Sequence, residues 1–276
     1  MNQFFAPSKF IITLDKSAKN IVSPTWNDGN NSKFELDMPE RLILMANHQG
    51  MQFFKFIFLK RNWDADRNVL TKTMDRLADS KEPLWLLIFP EGTVVSKSAR
   101  NKSKSYSEKN GLRDLEHLLL PRSTGLHFCT KALRKSVDYI YDLTIGFEGI
   151  SVGQFPEDIY TLRGMYILGK YPRSVHIHIR KFLISEIPEE EEKFTEWLRQ
   201  RWVEKDALMS EFYAKGKFPS FESSSPPKVV PLKLNSIFEL ANMWYFMIMF
   251  VWMFYNVPYF SNILFDKFSK FSLNMM

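Results

Sequence analysis

Leu84-Trp85-Leu86-Leu87-Ile88-Phe89-Pro90-Glu91-Gly92-Thr93 decides how this chain folds. A short apolar run without alternation suits a strand covered on both faces, the kind found inside an α/β sheet. Pro90 ends the run and Gly92 permits a tight turn, so a polar Glu-Gly-Thr cluster stands at the strand's C-terminal end. Arg41-Leu42-Ile43-Leu44-Met45-Ala46 followed by Asn47-His48-Gln49 repeats the arrangement. In α/β sheets that edge is where ligands bind.

Working outward, Phe10 to Leu14, Phe53 to Lys60, Ile140 to Phe147 and Val175 to Ile184 also read as strands, while Arg67 to Ser80 and Gly125 to Ser136 have helical spacing. Strands alternating with helices predict an α/β fold. Glu190 to Tyr213 reads as a long amphipathic helix, with Phe194, Trp197, Leu198, Leu208 and Phe212 inward. The acidic run Glu189 to Glu192 at its start suits the helix dipole. Three regions are expected: a globular domain over 1–215, a Pro/Ser-rich linker over 216–236, and a C-terminal membrane-associated segment over 237–276. The linker carries Pro219, Ser223-Ser224-Ser225-Pro226-Pro227 and Pro231, a composition that blocks helix. Ser96 to Arg113 reads as a basic loop beside the site, facing anionic lipid or CoA.

Composition narrows the function. Of 276 residues, 15% are aromatic, and Leu240 to Phe265 holds many of them without a single Asp, Glu, Lys or Arg. That length permits a membrane span, although Asn256 and Pro258 interrupt it, so a half-inserted or hairpin segment stays open. No basic n-region with a long apolar run opens the chain, so no signal peptide is expected. One cysteine, Cys129, excludes an intrachain disulfide and a cysteine zinc site. His176 and His178 lie two apart on a strand and make too few ligands for a metal. No Gly-x-Ser-x-Gly, P-loop or Gly-x-Gly-x-x-Gly occurs. The formal charge of +6 favours anionic partners without naming one.

His48, after a strand, can serve as a general base near neutral pH. Gly92 and its neighbours can offer backbone amides, with the Thr93 hydroxyl, to an oxyanion or phosphate. Arg61 can hold a phosphate bidentately.

Asn47-His48-Gln49, Ile57-Phe58-Leu59-Lys60-Arg61, Phe89-Pro90-Glu91-Gly92-Thr93 and Leu119-Leu120-Pro121-Arg122 stand in the order of the glycerolipid acyltransferase family, which the chain resembles over roughly residues 5 to 220. Tyr141-Asp142-Leu143-Thr144 with Gly149, and Trp202-x-Glu204-Lys205-Asp206, are similar to the fungal and animal branch acting on lysophosphatidic acid or lysophosphatidylinositol. The resemblance implies a mostly parallel sheet flanked by helices. It implies His48 as the base for acyl transfer, Arg61, Glu91, Gly92 and Thr93 on the glycerol phosphate, and Pro121 on the acyl-donor side. No cofactor is implied, acyl-CoA being a co-substrate. The implied partners are membrane lipids, a lysophospholipid and acyl-CoA, with no nucleic acid and no named protein. The implied location is the endoplasmic reticulum membrane, with lipid droplets as the alternative.

Two departures stand out. The family's orienting Asp is due five residues after His48, where this chain has Phe53, and no Asp or Glu occurs between His48 and Asp64. Relatives also carry a membrane-embedded segment before the equivalent of Phe5-Ala6-Pro7-Ser8. A non-catalytic relative that binds phospholipid or a partner protein is therefore the competing expectation.

Overall fold

The computed structural model describes residues 8–21, 36–48, 63–166, 168–220, 228–231, 248–249 and 251–252. The chain divides into two compact units: residues 6–231, and Met1–Phe5 with Leu232–Met276.

In the larger unit the expected strands form within a residue or so of the apolar runs. They are β1 (Lys9–Leu14), β2 (Arg41–Ala46), β3 (Leu84–Ile88), β4 (Tyr139–Phe147) and β5 (Ser174–Leu183). A further strand, β6 (Lys228–Pro231), forms inside the Pro/Ser-rich run. It is an edge strand on β1, a place where a terminal proline breaks no central ladder. The expected strand Phe53 to Lys60 lies outside the described residues.

The order among the described strands is β3-β2-β4-β5-β1-β6. The β2–β3, β2–β4 and β1–β5 pairs are parallel, but β4–β5 and β1–β6 are antiparallel. The sheet is therefore mixed, with three parallel pairs and two antiparallel ones among the described strands, where the expectation was a mostly parallel sheet. Composition does not encode strand direction, and the connection over 148–173 carries only two short helical turns, Pro156–Ile159 and Leu162–Tyr166.

Four longer helices are described: α1 (Trp63–Asp79), α2 (Lys97–Lys109), α3 (Ser123–Leu133) and α4 (Glu191–Lys215). Side chains alternate across the pleat. Ile43, Met45 and Ile140 face α1, α3 and α4, against Met74, Leu126, Leu133, Phe194, Leu198 and Trp202. Leu42, Tyr141 and Ile179 face the other way, onto Ile12 and a 3-10 turn, Lys16–Ile21, that buries Ala18 and Ile21. Along α4 the fully inward residues are Phe194, Leu198, Trp202, Lys205, Met209 and Phe212, whereas Trp197 and Leu208 are only partly buried.

Helix α2 corrects the expected loop over Ser96 to Arg113. Ser96 caps it by accepting the Ala99 amide at 3.2 Å, and no Gly or Pro interrupts it. Instead of an apolar stripe, Arg100 and Ser103 dock it: Arg100 Nη1 donates to Leu118 O at 2.6 Å and pairs with Asp114 at 3.1 Å, and the Leu120 amide donates to Ser103 Oγ at 3.1 Å.

In the smaller unit, Ile248, Met249, Val251 and Trp252 are helical and exposed. Among the described residues no helix is long and apolar enough to cross a membrane, and most of Leu240 to Phe265 lies outside them.

Candidate active site

Two parallel strands, β2 and β3, deliver the site. Past the last residue of β2, buried Asn47 substitutes its side-chain amide for one more step of the ladder. Its Nδ2 donates to Ile145 O at 3.0 Å and its Oδ1 accepts the Ile145 amide at 2.8 Å. His48 is the next residue. Its carbonyl accepts the Val95 amide at 3.2 Å, and its ring lies against Phe89 with centroids 4.6 Å apart. Nδ1 is buried and has no partner among the described residues. Burial lowers the imidazole's pKa, its own backbone group partly opposing, which favours the neutral ring.

The Phe89-to-Thr93 segment is a turn. Gly92, at φ +70°, donates its amide to Phe89 O at 3.0 Å, so that amide is already engaged. Thr93 is exposed. Glu91 points inward and is 3% exposed; Oε1 accepts Trp202 Nε1–H at 3.4 Å, while Oε2 has no partner among the described residues. Burial pushes its carboxyl up to about 8, against the opposing pull of the His48 backbone amide, Lys205 and Trp202.

Pro121, half-buried, sits between that turn and α3, because the Arg122 amide donates to Pro90 O at 2.8 Å. Arg122 is exposed, with its side chain at the open face of Gly92, where a Cβ would stand 3.7 Å from Cδ and 3.8 Å from Nε. This cation belongs to a quoted motif but drew no role from sequence; its signal was position beside Pro121. Arg61 lies outside the described residues. The structure therefore brings His48, Glu91, Gly92, Thr93, Pro121 and Arg122 to one sheet edge.

Behind them a buried charge cluster ties three elements together. Asp142 of β4 pairs with Lys205 of α4 and, at 2.5 Å, with Arg180 of β5, which also pairs with Glu204 at 2.5 Å. Lys205 Nζ donates to Leu143 O at 2.7 Å as well. Burial raises the Asp142 carboxyl, but the two cations outweigh it and hold it below the usual range. Asp206 accepts the amides of Glu116, His117 and Leu118 at 2.9, 2.8 and 3.2 Å, fixing the loop that leads to Pro121. In Trp202-x-Glu204-Lys205-Asp206, each named side chain holds a different part of the site's frame. His176 and His178 are buried on β5, bonded to Ser174 Oγ and Thr13 Oγ1 at 3.0 and 3.1 Å. No metal-holding group of three or more His, Cys, Asp or Glu occurs among the described residues.

A family profile described as acyltransferase C-terminus matches residues 166–252. An uncharacterized acyltransferase of Schizosaccharomyces pombe is 33% identical over 254 residues, covering 79% of this chain and 71% of that one. The chain belongs to the glycerolipid acyltransferase family. It is also similar to the 2-acyl-1-lysophosphatidylinositol acyltransferase of Saccharomyces cerevisiae, 35% identical over 68% of this chain and 56% of that one. Lysocardiolipin acyltransferase 1 of Gallus gallus is 33% identical over 67% of this chain and 47% of that one. The chain thus spans about half the length of these two acyltransferases.

Proposed function

We propose that this chain transfers a fatty acyl group from acyl-CoA to the free hydroxyl of a lysophospholipid, lysophosphatidic acid or lysophosphatidylinositol, at a membrane. The observation that carries the reading is His48, whose buried Nδ1 has no partner among the described residues, beside the Gly92 turn and the exposed Arg122 cation. His48 takes the hydroxyl proton as the oxygen attacks the thioester carbonyl. The C–S bond then breaks, and the CoA thiolate recovers the proton from the imidazolium, with no acyl-enzyme. Arg122, Thr93 and Arg61 receive the acceptor's phosphate, Glu91 and Gly92 shape that pocket from within, and Pro121 lies toward the acyl donor. No cofactor is invoked. The proposed location is the endoplasmic reticulum membrane.

Phe53 supports a second reading, a phospholipid-binding relative with impaired chemistry, because a base gains much of its power from a carboxylate that fixes its tautomer. An acyl-CoA assay with both lysolipids separates the two. Slow turnover that His48→Ala abolishes supports the acyltransferase. Lysolipid binding with no turnover supports the second reading, and turnover indifferent to His48→Ala overturns the first.

A further inference from the structure

Helix α2 carries its charge outward. Lys97, Lys102, Lys104 and Lys109 are exposed and form no ion pair among the described residues, whereas Arg100 is turned in toward Asp114 and Leu118. The only acid on the helix is Glu108. Lys97, Asn101, Lys102, Ser105, Tyr106 and Lys109 line one shallow depression, and Tyr106 is 54% exposed there. Tyrosine on a cationic surface suits the headgroup level of a bilayer, apolar ring inward and hydroxyl toward water. The helix is also tied to the site: Ser103 receives the Leu120 amide, Arg100 holds Leu118 O, and the Val95 amide just before the helix reaches His48 O.

We propose that the outer face of α2 docks on an anionic phospholipid surface and so presents the His48 edge to the bilayer. Lysines near such a surface add roughly fivefold each to partitioning, and salt screens the effect. Lipid is favoured over CoA because the lysines spread over the whole length of the helix, from Lys97 to Lys109, instead of converging on one phosphate. The link to catalysis rests on the acyltransferase reading; the docking itself does not, and its test needs no turnover.

The test is local, since the apolar C-terminal run could bind vesicles by itself. Ser105→Cys in the full chain takes an environment-sensitive fluorophore, while Cys129, buried with its thiol pushed up to about 12, stays unlabelled. Vesicles are phosphatidylcholine alone or with phosphatidylserine, which is neither candidate acceptor. The expected result is a blue shift on the anionic vesicles that high salt reverses. Lys97→Glu with Lys102→Glu and Lys109→Glu should raise the half-saturating lipid at least tenfold, with circular dichroism unchanged; glutamine at the same positions serves if the glutamate variant misfolds. The proposal is overturned by an equal shift on neutral vesicles, by a shift that survives charge reversal, or by none on a vesicle-bound chain. Loss of the shift with added free CoA also overturns it and makes the face a nucleotide site. Inactivity toward lysolipids with the shift intact would instead count only against the acyltransferase reading.

Discussion

Glu91 is the residue whose chemistry departs furthest from its surface reading. Folded, its carboxyl keeps a proton up to about pH 8, whereas in the unfolded chain it releases it near 4.5. Between those values the folded state binds more protons, so stability should fall as pH rises and level off above about 8. Glu91→Gln keeps the shape and removes the titration. Its urea midpoint should vary less between pH 5 and 8 than the parent's. At pH 8 it should be the more stable of the two, by on the order of a few kcal/mol. Parallel pH profiles for the two proteins would show that the carboxyl is not the titrating group. Sequence placed Glu91 at the right edge of the sheet, because Pro90 and Gly92 end the strand there. Its inward direction was not legible: Trp202, which receives it, lies 111 positions away.

At the scale of elements, α4 holds the sheet through ionic contacts as well as apolar ones. Lys205→Met removes one of the two cations on buried Asp142 and should cost about 3–5 kcal/mol in urea unfolding. Adding Asp142→Leu should return part of that loss, and strictly additive costs would deny the coupling. Close approach is the second contact. A Cβ on Gly146 would stand 2.8–3.0 Å from the Phe212 ring, so Gly146→Ala should lower stability by about 1–3 kcal/mol, with Phe212→Leu relieving it in thermal unfolding. Strands β2 and β3 were legible as unbroken apolar runs, and β5 by alternation of apolar with polar residues. Helix α2 was not, since a helix docked by Arg100 and Ser103 leaves no stripe of apolar residues. Strand β6 hid among prolines because an edge strand needs only half its main chain paired.

For the molecule as a whole, the run from Leu240 to Phe265 should hold the protein on membranes through carbonate washing. Each large apolar side chain moved into lipid contributes roughly 1.5–3 kcal/mol, beyond what surface lysines supply in salt. A chain ending at Pro231 keeps β6 and should move to the soluble fraction; identical fractionation of the two would make the run ordinary core. Exposure of Ile248, Met249, Val251 and Trp252 agrees with the lipid reading. Asn47 bears on the molecule in another way. Its two bonds to Ile145, with the Val95 amide on the His48 carbonyl, hold the backbone that carries the imidazole. The partners named for it, Phe89, Val95 and Ile145, come from farther along the chain, on the β3 side and on β4. Doubling a connecting loop costs only about 0.6 kcal/mol of closure entropy. A change of length just after this histidine leaves those contacts available, and what it alters is the company the base keeps.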